Sequence, residues 1–215
     1  MIICSGSAII LMMSQGYRVS HLFPKGSAMG KKVLLVLADG FEEIEALTPV
    51  DILRRAQVDL VIAGLSGMQQ TSARGVRVGC DVLFSDARAA ADSFDALILP
   101  GGGKGAENLA DSESVLVFLL EMHASGKLIA AICAAPAVVL AKSGILDGRT
   151  ATCYPGMEAS FGKKTVFSEQ PVVVDGNIVT SRGAGTSLEF SLVLVELLCG
   201  KVERDRISKA IVAQP

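Results

Sequence analysis

The chain has 215 residues, of which 50% are hydrophobic, 5% aromatic and 20% charged, and its formal net charge is −2. This length and this aliphatic composition suit a single globular domain. The charge balance excludes nucleic-acid binding by bulk electrostatics, because that binding needs a basic field. No apolar run approaches the length of a membrane span, so we do not expect a membrane protein.

The cysteines and histidines limit the kinds of site that the chain can build. The five cysteines include no Cys-x-x-Cys pair, and they are Cys4, Cys80, Cys133, Cys153 and Cys199. An odd number without such a pair favours a reducing compartment, which predicts a cytoplasmic location, no disulfide framework and no structural zinc. The two histidines, His21 and His123, are too few for a histidine-rich metal site.

The first 28 residues differ in composition from the rest of the chain. They contain Arg18, His21 and Lys25 but no acid, and the first acidic residue is Asp39. One interpretation is a targeting segment, which leaves organellar import open. The other is an upstream start, with Met29 as the more natural beginning, and the short apolar core of the segment favours it. We therefore predict a poorly packed extension at residues 1–28 and one domain at residues 30–215.

The rest of the chain alternates between predicted strands and predicted helices. Apolar runs predict strands at residues 33–37, 58–63, 95–99, 128–132 and 149–153, short strands near residues 74–75, and a hairpin at 172–180. Helical patterns occupy residues 42–56, the surroundings of 107, and 112–124, 134–143, 187–199 and 201–211. This alternation predicts a doubly wound α/β sheet, whose ligands bind at the carboxyl ends of strands.

The first predicted helix carries an acidic residue on its apolar face. On a helical wheel the face comprises Phe41, Ile44, Thr48, Ile52 and Ala56. Glu45 falls inside this face, and Arg55 lies on it toward the other end. A carboxylate facing a core must be paired, protonated or functional. The alternative is a partly exposed residue at the flank of the face.

A glycine cluster follows the predicted strand at residues 95–99. Residues 100–105 read Pro-Gly-Gly-Gly-Lys-Gly, which lacks both the Walker spacing and the dinucleotide G-x-G-x-x-G pattern. A nucleotide site is therefore weakly supported. A loop whose backbone approaches a neighbouring site and offers N–H groups to a developing oxyanion fits better.

Cys133 follows a continuous apolar run that is typical of a buried central strand. The next residues, Ala134, Ala135 and Pro136, have the composition of a first helical turn. This strand-to-helix turn resembles the nucleophile elbow of hydrolases, and the start of the helix should favour the thiolate. The alternative is an inert cysteine of the core. The turns at Asp39-Gly40, at residues 101–102 and at Cys133 all follow strands, so we expect them to converge on one pocket.

Four dispersed motifs carry a resemblance to a known family. They are Ala-Asp-Gly-Phe-Glu-Glu-Ile-Glu at residues 38–45, Leu-Pro-Gly-Gly at 99–102, Ala-Ile-Cys-Ala-Ala-Pro at 131–136 and Thr-Ser-Arg-Gly-Ala-Gly-Thr at 180–186. Together they resemble the ThiJ/PfpI superfamily, in its Parkinson-disease-associated deglycase branch. The resemblance runs from about residue 31 to 211. It implies a flavodoxin-like α/β sandwich related to class I glutamine amidotransferases, a homodimer, and no metal or organic cofactor.

The resemblance also implies roles for individual residues. Cys133 takes the position of the reactive cysteine and Glu45 that of its partner glutamate, while Gly102 and Ala134 take the positions of backbone donors. The positions at the rim of the pocket or of the dimer are Arg55, Arg74, Tyr154 and Arg182.

Two residues depart from the pattern of the relatives. Tyr154 precedes Pro155 where the branch often has His, and Ala134 follows the cysteine where the protease-like branch has His. The missing histidine disfavours peptidase or amide-transfer chemistry. We therefore predict a cofactor-independent glyoxalase or deglycase that acts on small dicarbonyls or glycated substrates, in which Cys133 and Glu45 share a proton. The alternative is a redox sensor or chaperone that responds to oxidation of Cys133.

Overall fold

The computed structural model describes residues 30–213. The predictions for residues 1–28, including the extension and the import signal, lie outside the described residues. The strands are β1 (Lys32–Leu37), β2 (Asp59–Gly64), β3 (Gln69–Thr71), β4 (Arg77–Gly79), β5 (Val82–Leu83), β6 (Ala96–Leu99), β7 (Leu128–Ile132), β8 (Thr150–Ala151), β9 (Val166–Phe167), β10 (Val172–Asp175) and β11 (Ile178–Ser181). The α-helices are α1 (Glu43–Arg55), α2 (Phe84–Arg88), α3 (Gly103–Asp111), α4 (Glu113–Ala124), α5 (Ala141–Ser143), α6 (Ser187–Cys199) and α7 (Lys201–Ala210).

Seven strands form one sheet in the order β10-β11-β7-β6-β1-β2-β5. All neighbours in it are parallel except β10 and β11, which form the predicted antiparallel hairpin. From β1 the chain winds outward through β2 and β5, and from β6 it winds the other way through β7 and β11. The strand order therefore reverses between β1 and β6, where doubly wound folds bind their ligands.

Each face of the sheet is covered by its own apolar core, because alternate residues of a strand point to opposite faces. On β1, Leu34 and Val36 belong to the core that includes Phe118 of α4, whereas Leu35 and Leu37 belong to the other core. That second core also contains side chains of α1, α6 and α7, such as Leu53, Phe190 and Ile207. A mostly parallel sheet between two helical layers confirms the predicted flavodoxin-like α/β fold class.

The apolar face of α1 is rotated from the predicted face. Ile44, which we placed on it, is 53% exposed, and Arg55 is also exposed. The buried residues of α1 are Glu45, Ala46, Pro49, Ile52 and Leu53. The predicted face did not include Pro49, which lies inside the helix and is buried. Glu45 lies on the predicted face and is also buried in the structure.

Two predicted elements are shorter or less regular than the sequence suggested. The strand expected at residues 149–153 is reduced to β8, which pairs in parallel with β9 in a separate two-stranded sheet. The helix after Cys133 contains a π-helical segment, Pro136–Leu140, before it continues as α5. Such segments occur frequently beside functional sites. Within residues 30–213, no helix has the length and apolarity required to cross a membrane.

Candidate active site

Cys133 occupies a strained turn between β7 and the following helix. Its φ angle is +66°, a left-handed conformation that non-glycine residues seldom adopt and that persists only where the surroundings enforce it. Two backbone hydrogen bonds supply that enforcement. The Cys133 N–H donates to the Ser181 carbonyl at 2.9 Å, and the Cys133 carbonyl accepts from the Tyr154 N–H at 2.8 Å. The turn therefore has the geometry of a nucleophile elbow.

Glu45 reaches the elbow from the first turn of α1. Its own N–H donates to the side chain of Glu42, which caps the helix at 2.8 Å, and its side chain is only 1% exposed. The Glu45 Oε2 atom accepts a hydrogen bond from the Gly101 N–H at 3.0 Å. The Cys133 side chain and the Ala184 N–H also act on this carboxyl group, and both lower its pKa. Residues from three loops and one helix thus surround this carboxyl group.

Glycines allow the loops after β1 and β6 to come together at the reversal of strand order. The Glu42 N–H donates to the Gly101 carbonyl at 3.1 Å, which ties the start of α1 to the loop after β6. A Cβ atom on Gly101 would lie 2.5 Å from Glu45 Oε2 and 2.6 Å from the Cys133 Cβ. A Cβ atom on Gly102 would collide with the Gly40 carbonyl oxygen at 2.3 Å. Only glycine therefore fits between the acid and the thiol.

The Glu45 carboxyl group has a pKa raised to about 7. Burial is the main cause, since a low-dielectric surrounding opposes the charged form. The Glu42 carboxylate also raises this pKa, whereas the hydrogen bonds from Cys133, Gly101 and Ala184 lower it. At neutral pH, Glu45 is therefore able both to hold and to release a proton.

The thiol does not have the low pKa that we predicted from its place in the turn. Burial, the Glu45 charge and the hydrogen bond with Glu45 raise the pKa of Cys133 to about 12. The N–H groups of Gly102 and Ala134 lower it, but by less than burial and the carboxylate raise it. We predicted a low pKa from the N–H groups at the start of the helix and did not consider the buried Glu45 carboxyl group.

The two groups therefore act as a pair that holds one proton near neutral pH. With the proton on sulfur, Glu45 is the anion, and with the proton on Glu45, the anion is a thiolate that accepts from Gly102 and Ala134. Two anions this close are unfavourable in a low-dielectric site, so the proton moves between the groups rather than leaving. This arrangement supplies a nucleophile and a general acid or base from two side chains.

The structure separates the four residues that we placed at a pocket or dimer rim. Tyr154 lies at the site: its backbone N–H binds Cys133, and its ring is 3.5 Å from the Cβ position of Gly183, which itself lies 3.9 Å from Glu45 Oε1. Its side chain is half exposed. Arg182 directly follows Ser181, and its guanidinium donates to the Glu169 carbonyl at 2.9 Å.

The other two rim residues do not contact the pair. Arg55 ends α1, about 15 Å along the helix from Glu45, and forms an ion pair with Asp51 at 2.8 Å. Arg74 lies at the tip of the β3–β4 hairpin, where its N–H donates to Glu43 Oε1 at 2.8 Å. Neither side chain forms a hydrogen bond with Cys133 or Glu45 in the described part of the chain.

Three residues at the site were missed in the sequence, and all act through the backbone. Gly101 donates to Glu45, the Ala184 N–H lowers the pKa of the same carboxyl group, and the Ser181 carbonyl accepts from Cys133. Gly101 lay within the glycine cluster that we identified, but Gly102 alone was chosen as a donor. Groups that act through the backbone leave no side-chain pattern in the sequence. Only the glycines in the neighbouring turns could have pointed to them.

The described residues contain no group of three or more His, Cys, Asp or Glu side chains that could hold a metal ion. Two depressions of about 380 and 370 Å³ lie elsewhere, one lined by α4 residues such as Glu121 and Met122, the other by Asp39, Ser66 and Asn108. Neither includes Cys133 or Glu45. The convergence of nucleophile, acid and backbone donors therefore marks the candidate site more clearly than cavity size does.

The sequence pattern of the DJ-1/PfpI family matches residues 31–197. The chain belongs to the DJ-1/PfpI family. Protein dj-1beta of Drosophila melanogaster is 40% identical over 185 residues, which cover 85% of this chain and 97% of that relative. Protein DJ-1 homolog B of Arabidopsis thaliana is 41% identical over 180 residues, or 83% of this chain, but the match spans only 40% of that longer relative. These matches confirm the resemblance found in the four motifs.

Two further relatives of this DJ-1/PfpI chain carry descriptions that bear on chemistry. A protein of Pyrococcus abyssi that is named a deglycase is 33% identical over 168 residues, which cover 78% of this chain and 99% of that relative. A structure described as oxidized DJ-1 of Toxoplasma gondii superposes with a TM-score of 0.81 at 39% identity, and the match covers 85% of this chain and 98% of that one. The superposition independently supports the α/β fold.

Proposed function

We propose that this DJ-1/PfpI protein is a cofactor-independent glyoxalase or deglycase that acts on methylglyoxal, glyoxal and their early adducts. The observation that carries the proposal is the buried Cys133–Glu45 pair, which holds a single proton beside the N–H groups of Gly102 and Ala134. The name of the Pyrococcus abyssi relative adds support.

The proposed reaction begins when the Cys133 thiolate attacks the aldehyde carbon of methylglyoxal. A carbon–sulfur bond forms, and the carbonyl electron pair moves to oxygen, which receives the proton held by Glu45. The N–H groups of Gly102 and Ala134 can stabilise the developing oxyanion. The product of this step is a hemithioacetal, and Glu45 is left as a carboxylate that can act as a base.

The remaining steps need only proton transfer and water. The Glu45 carboxylate removes the hydrogen on the former aldehyde carbon and returns a proton to the adjacent ketone carbon, while the hydroxyl proton on the first carbon moves to the oxygen of the second. The first carbon is thereby oxidised to a thioester and the second is reduced to an alcohol, so no external oxidant is consumed. Water then attacks the thioester, the carbon–sulfur bond breaks, and lactate leaves with regeneration of the thiol.

Lactate formation from methylglyoxal by the purified protein tests this proposal. We expect Cys133→Ser and Glu45→Gln each to lower turnover by at least about 100-fold, because each removes a group that acts in the transition state. Cys199→Ser is the matched control, since Cys199 is also a partly buried thiol but lies at the end of α6. Turnover by Cys133→Ser at the wild-type rate would overturn the assignment.

A second candidate function uses the same residues and is favoured by the oxidized Toxoplasma gondii structure. Two equivalents of peroxide convert a thiol to a sulfinic acid and two waters. In this chain, the sulfinate oxygens would have the Gly102 and Ala134 N–H groups and the Glu45 acid as hydrogen-bond donors. Mass spectrometry after mild peroxide should show oxygen added to Cys133 first, and Glu45→Gln should change how far oxidation proceeds. Earlier modification of Cys80 or Cys153 would contradict this function.

Assembly, location and domain limits belong to the same proposal. We propose a homodimer in the cytoplasm, with residues 30–215 as its single domain and residues 1–28 as a dispensable extension. Exposed apolar side chains on α1 and on the β3–β4 hairpin, including Ile44, Leu47 and Met68, support an interface. Light scattering should give twice the monomer mass. Deletion of residues 1–28 should leave turnover and melting temperature unchanged.

A further inference from the structure

One short segment of the chain, residues 181–186, holds both members of the catalytic pair. At its start, the Ser181 carbonyl accepts the Cys133 N–H at 2.9 Å and so helps to fix the strained elbow. Three residues later, the Ala184 N–H lowers the pKa of the Glu45 carboxyl group, and the Cβ position of the preceding Gly183 lies 3.9 Å from Glu45 Oε1. The relative position of thiol and acid therefore depends on the conformation between these two backbone groups.

Two hydroxyl groups close this segment on itself. Ser181 Oγ and Thr186 Oγ1 are 2.7 Å apart, and Ser181 is fully buried. Thr186 Oγ1 accepts the Gly183 N–H at 3.1 Å and lies 2.8 Å from the Gly183 carbonyl. The Thr186 hydroxyl thus bridges the end of β11 and the Gly183 turn that carries Ala184.

The carbonyl groups that accept from the Ser181 and Thr186 hydroxyls do not depend on them, because each also has a backbone donor. The Gly183 carbonyl already accepts the Thr186 N–H at 2.8 Å, and the Pro171 carbonyl accepts the Arg182 N–H at 3.2 Å as well as the Ser181 hydroxyl at 2.8 Å. The two hydroxyl groups have two protons between them and three hydrogen-bond partners, which are the Gly183 carbonyl, the Pro171 carbonyl and each other. Both carbonyls also accept a backbone N–H. Only the hydroxyl groups connect Ser181 with Thr186.

We propose that Thr186 is a positioning residue that, through the buried Ser181 hydroxyl, keeps the Ala184 N–H directed at Glu45 while the Ser181 carbonyl holds Cys133. The inference rests on the proposed function for its catalytic meaning, but its geometry concerns the pair itself. The other groups that face Glu45 are Cys133 and the Glu42 carboxylate, with the Tyr154 ring beyond Gly183.

The direction of the effect follows from what the Ala184 N–H stabilises. This donor favours the Glu45 carboxylate over the protonated acid. If the turn relaxes, the carboxylate loses a donor, so the pair keeps its second proton to a higher pH. Within the singly protonated pair, the balance then moves toward thiolate and protonated Glu45. The pH midpoint of thiol reactivity should rise, while the reactivity at high pH should not fall.

The test is the pH dependence of Cys133 alkylation by iodoacetamide in the full chain. We expect Thr186→Val, which keeps the volume but removes the hydroxyl, to raise the pH midpoint of alkylation by about half a pH unit or more. Thr186→Ser should restore the wild-type midpoint because it retains the hydroxyl. Ser181→Ala should move the midpoint in the same direction, and it decides the question if Thr186→Val does not fold.

Ser191→Ala is the control for general loss of a buried hydroxyl, because Ser191 Oγ donates to the Ser187 carbonyl within α6 at 2.6 Å. It should leave the midpoint unchanged. A lower melting temperature with an unmoved midpoint in both Thr186→Val and Ser181→Ala would overturn the positioning role. Alkylation needs no substrate, so a wild-type protein that fails to consume methylglyoxal would contradict the proposed function and leave this inference standing.

Discussion

Cys133, which is partly buried, and Cys80, which is buried, both have raised pKa values, yet only Cys133 lies beside a carboxyl group that can take its proton. Burial is the first cause in both cases, and it raises the pKa to about 12 for Cys133 and to about 11 for Cys80. The charges that raise the pKa of Cys80 come from Asp81 and Asp39. Glu45 differs because its own pKa is raised to about 7.

The comparison shows that the pKa of a thiol does not by itself mark a reactive site. Cys80 must release its proton to water, and at neutral pH that equilibrium lies far on the thiol side. Cys133 can instead pass its proton to a carboxyl group that contacts it, without creating a second charge in the site. The strained turn and the Gly102 and Ala134 N–H groups then stabilise the sulfur anion.

The largest expected effect is a difference in alkylation rate between the two thiols. With a pKa of about 11, only about one in 10⁴ Cys80 side chains is ionised at pH 7. The Cys133 thiolate accepts from the Gly102 and Ala134 N–H groups, and Cys133 is partly exposed whereas Cys80 is buried. We therefore expect iodoacetamide to modify Cys133 faster than Cys80, as measured by peptide mass spectrometry at pH 7. Equal alkylation rates at Cys133 and Cys80 would contradict this difference in reactivity.

The next effect concerns stability, because burying the Glu45 carboxylate costs free energy. The native state keeps the Glu45 proton up to about pH 7, whereas the unfolded chain releases it near 4.5. The native state therefore binds more protons between these values, and its free energy of unfolding falls as pH rises through this window. The rise in pKa corresponds to about 3 kcal/mol. Stability from the protonated acid is complete below pH 4.5 and lost above about 7.

Glu45→Gln should abolish that pH dependence, since the amide has no proton to lose in this range. Compared with wild type, the variant should gain stability by up to about 3 kcal/mol between pH 5 and pH 8 in urea unfolding. Cys80→Ser provides the comparison at the other thiol and should leave the slope between these pH values unchanged. A wild-type slope retained in Glu45→Gln would show that another group titrates.

A smaller effect is expected from the glycine that lies between acid and thiol. Gly101→Ala would place a methyl group 2.5 Å from Glu45 Oε2 and 2.6 Å from the Cys133 Cβ, so the pair must separate. We expect a loss of about 2 kcal/mol in unfolding free energy and a large loss of Cys133 reactivity. Gly103→Ala is the matched control, because no atom lies within 4 Å of its Cβ position. Similar stability in the two variants would contradict the close packing.

The sequence was sufficient for the fold and for the two side chains of the pair. Continuous apolar runs identified β1, β6 and β7, and the turns that follow them do meet at one edge, as the Glu42–Gly101 hydrogen bond shows. These features were predictable because strand burial and turn composition are local properties. The family resemblance then connected Glu45 with Cys133, which are 88 positions apart.

The sequence could not predict how burial, charge and hydrogen bonds together set the pKa values inside the site. The thiol pKa depends on burial and on a carboxylate from another element, and neither is encoded near Cys133. The family resemblance placed Arg55 at a rim position, but the sequence gives neither its distance from the pair nor its ion pair with Asp51. Gly101 and Ala184 act through N–H groups that every non-proline residue has, so only their tertiary position reveals them.

The smallest expected effect concerns Tyr154, which occupies the position where the family resemblance led us to expect a histidine. Its contribution to the elbow is the backbone N–H that donates to the Cys133 carbonyl at 2.8 Å, and any residue except proline would provide it. The half-exposed ring lies against Gly183, near Glu45. A phenol is a poorer proton-transfer group than an imidazole at neutral pH, although it can donate a hydrogen bond to a substrate.

Tyr154→Phe should therefore lower turnover of methylglyoxal by about tenfold at most, equivalent to about 1 kcal/mol for one lost hydrogen bond. It should leave the alkylation rate and pH midpoint of Cys133 unchanged, because the backbone hydrogen bond remains. Tyr154→His should be neutral or mildly activating, since imidazole can exchange protons near pH 7. A loss in Tyr154→Phe as complete as in Cys133→Ser would make the phenol a catalytic group, and proton transfer could then no longer be assigned to Glu45 alone.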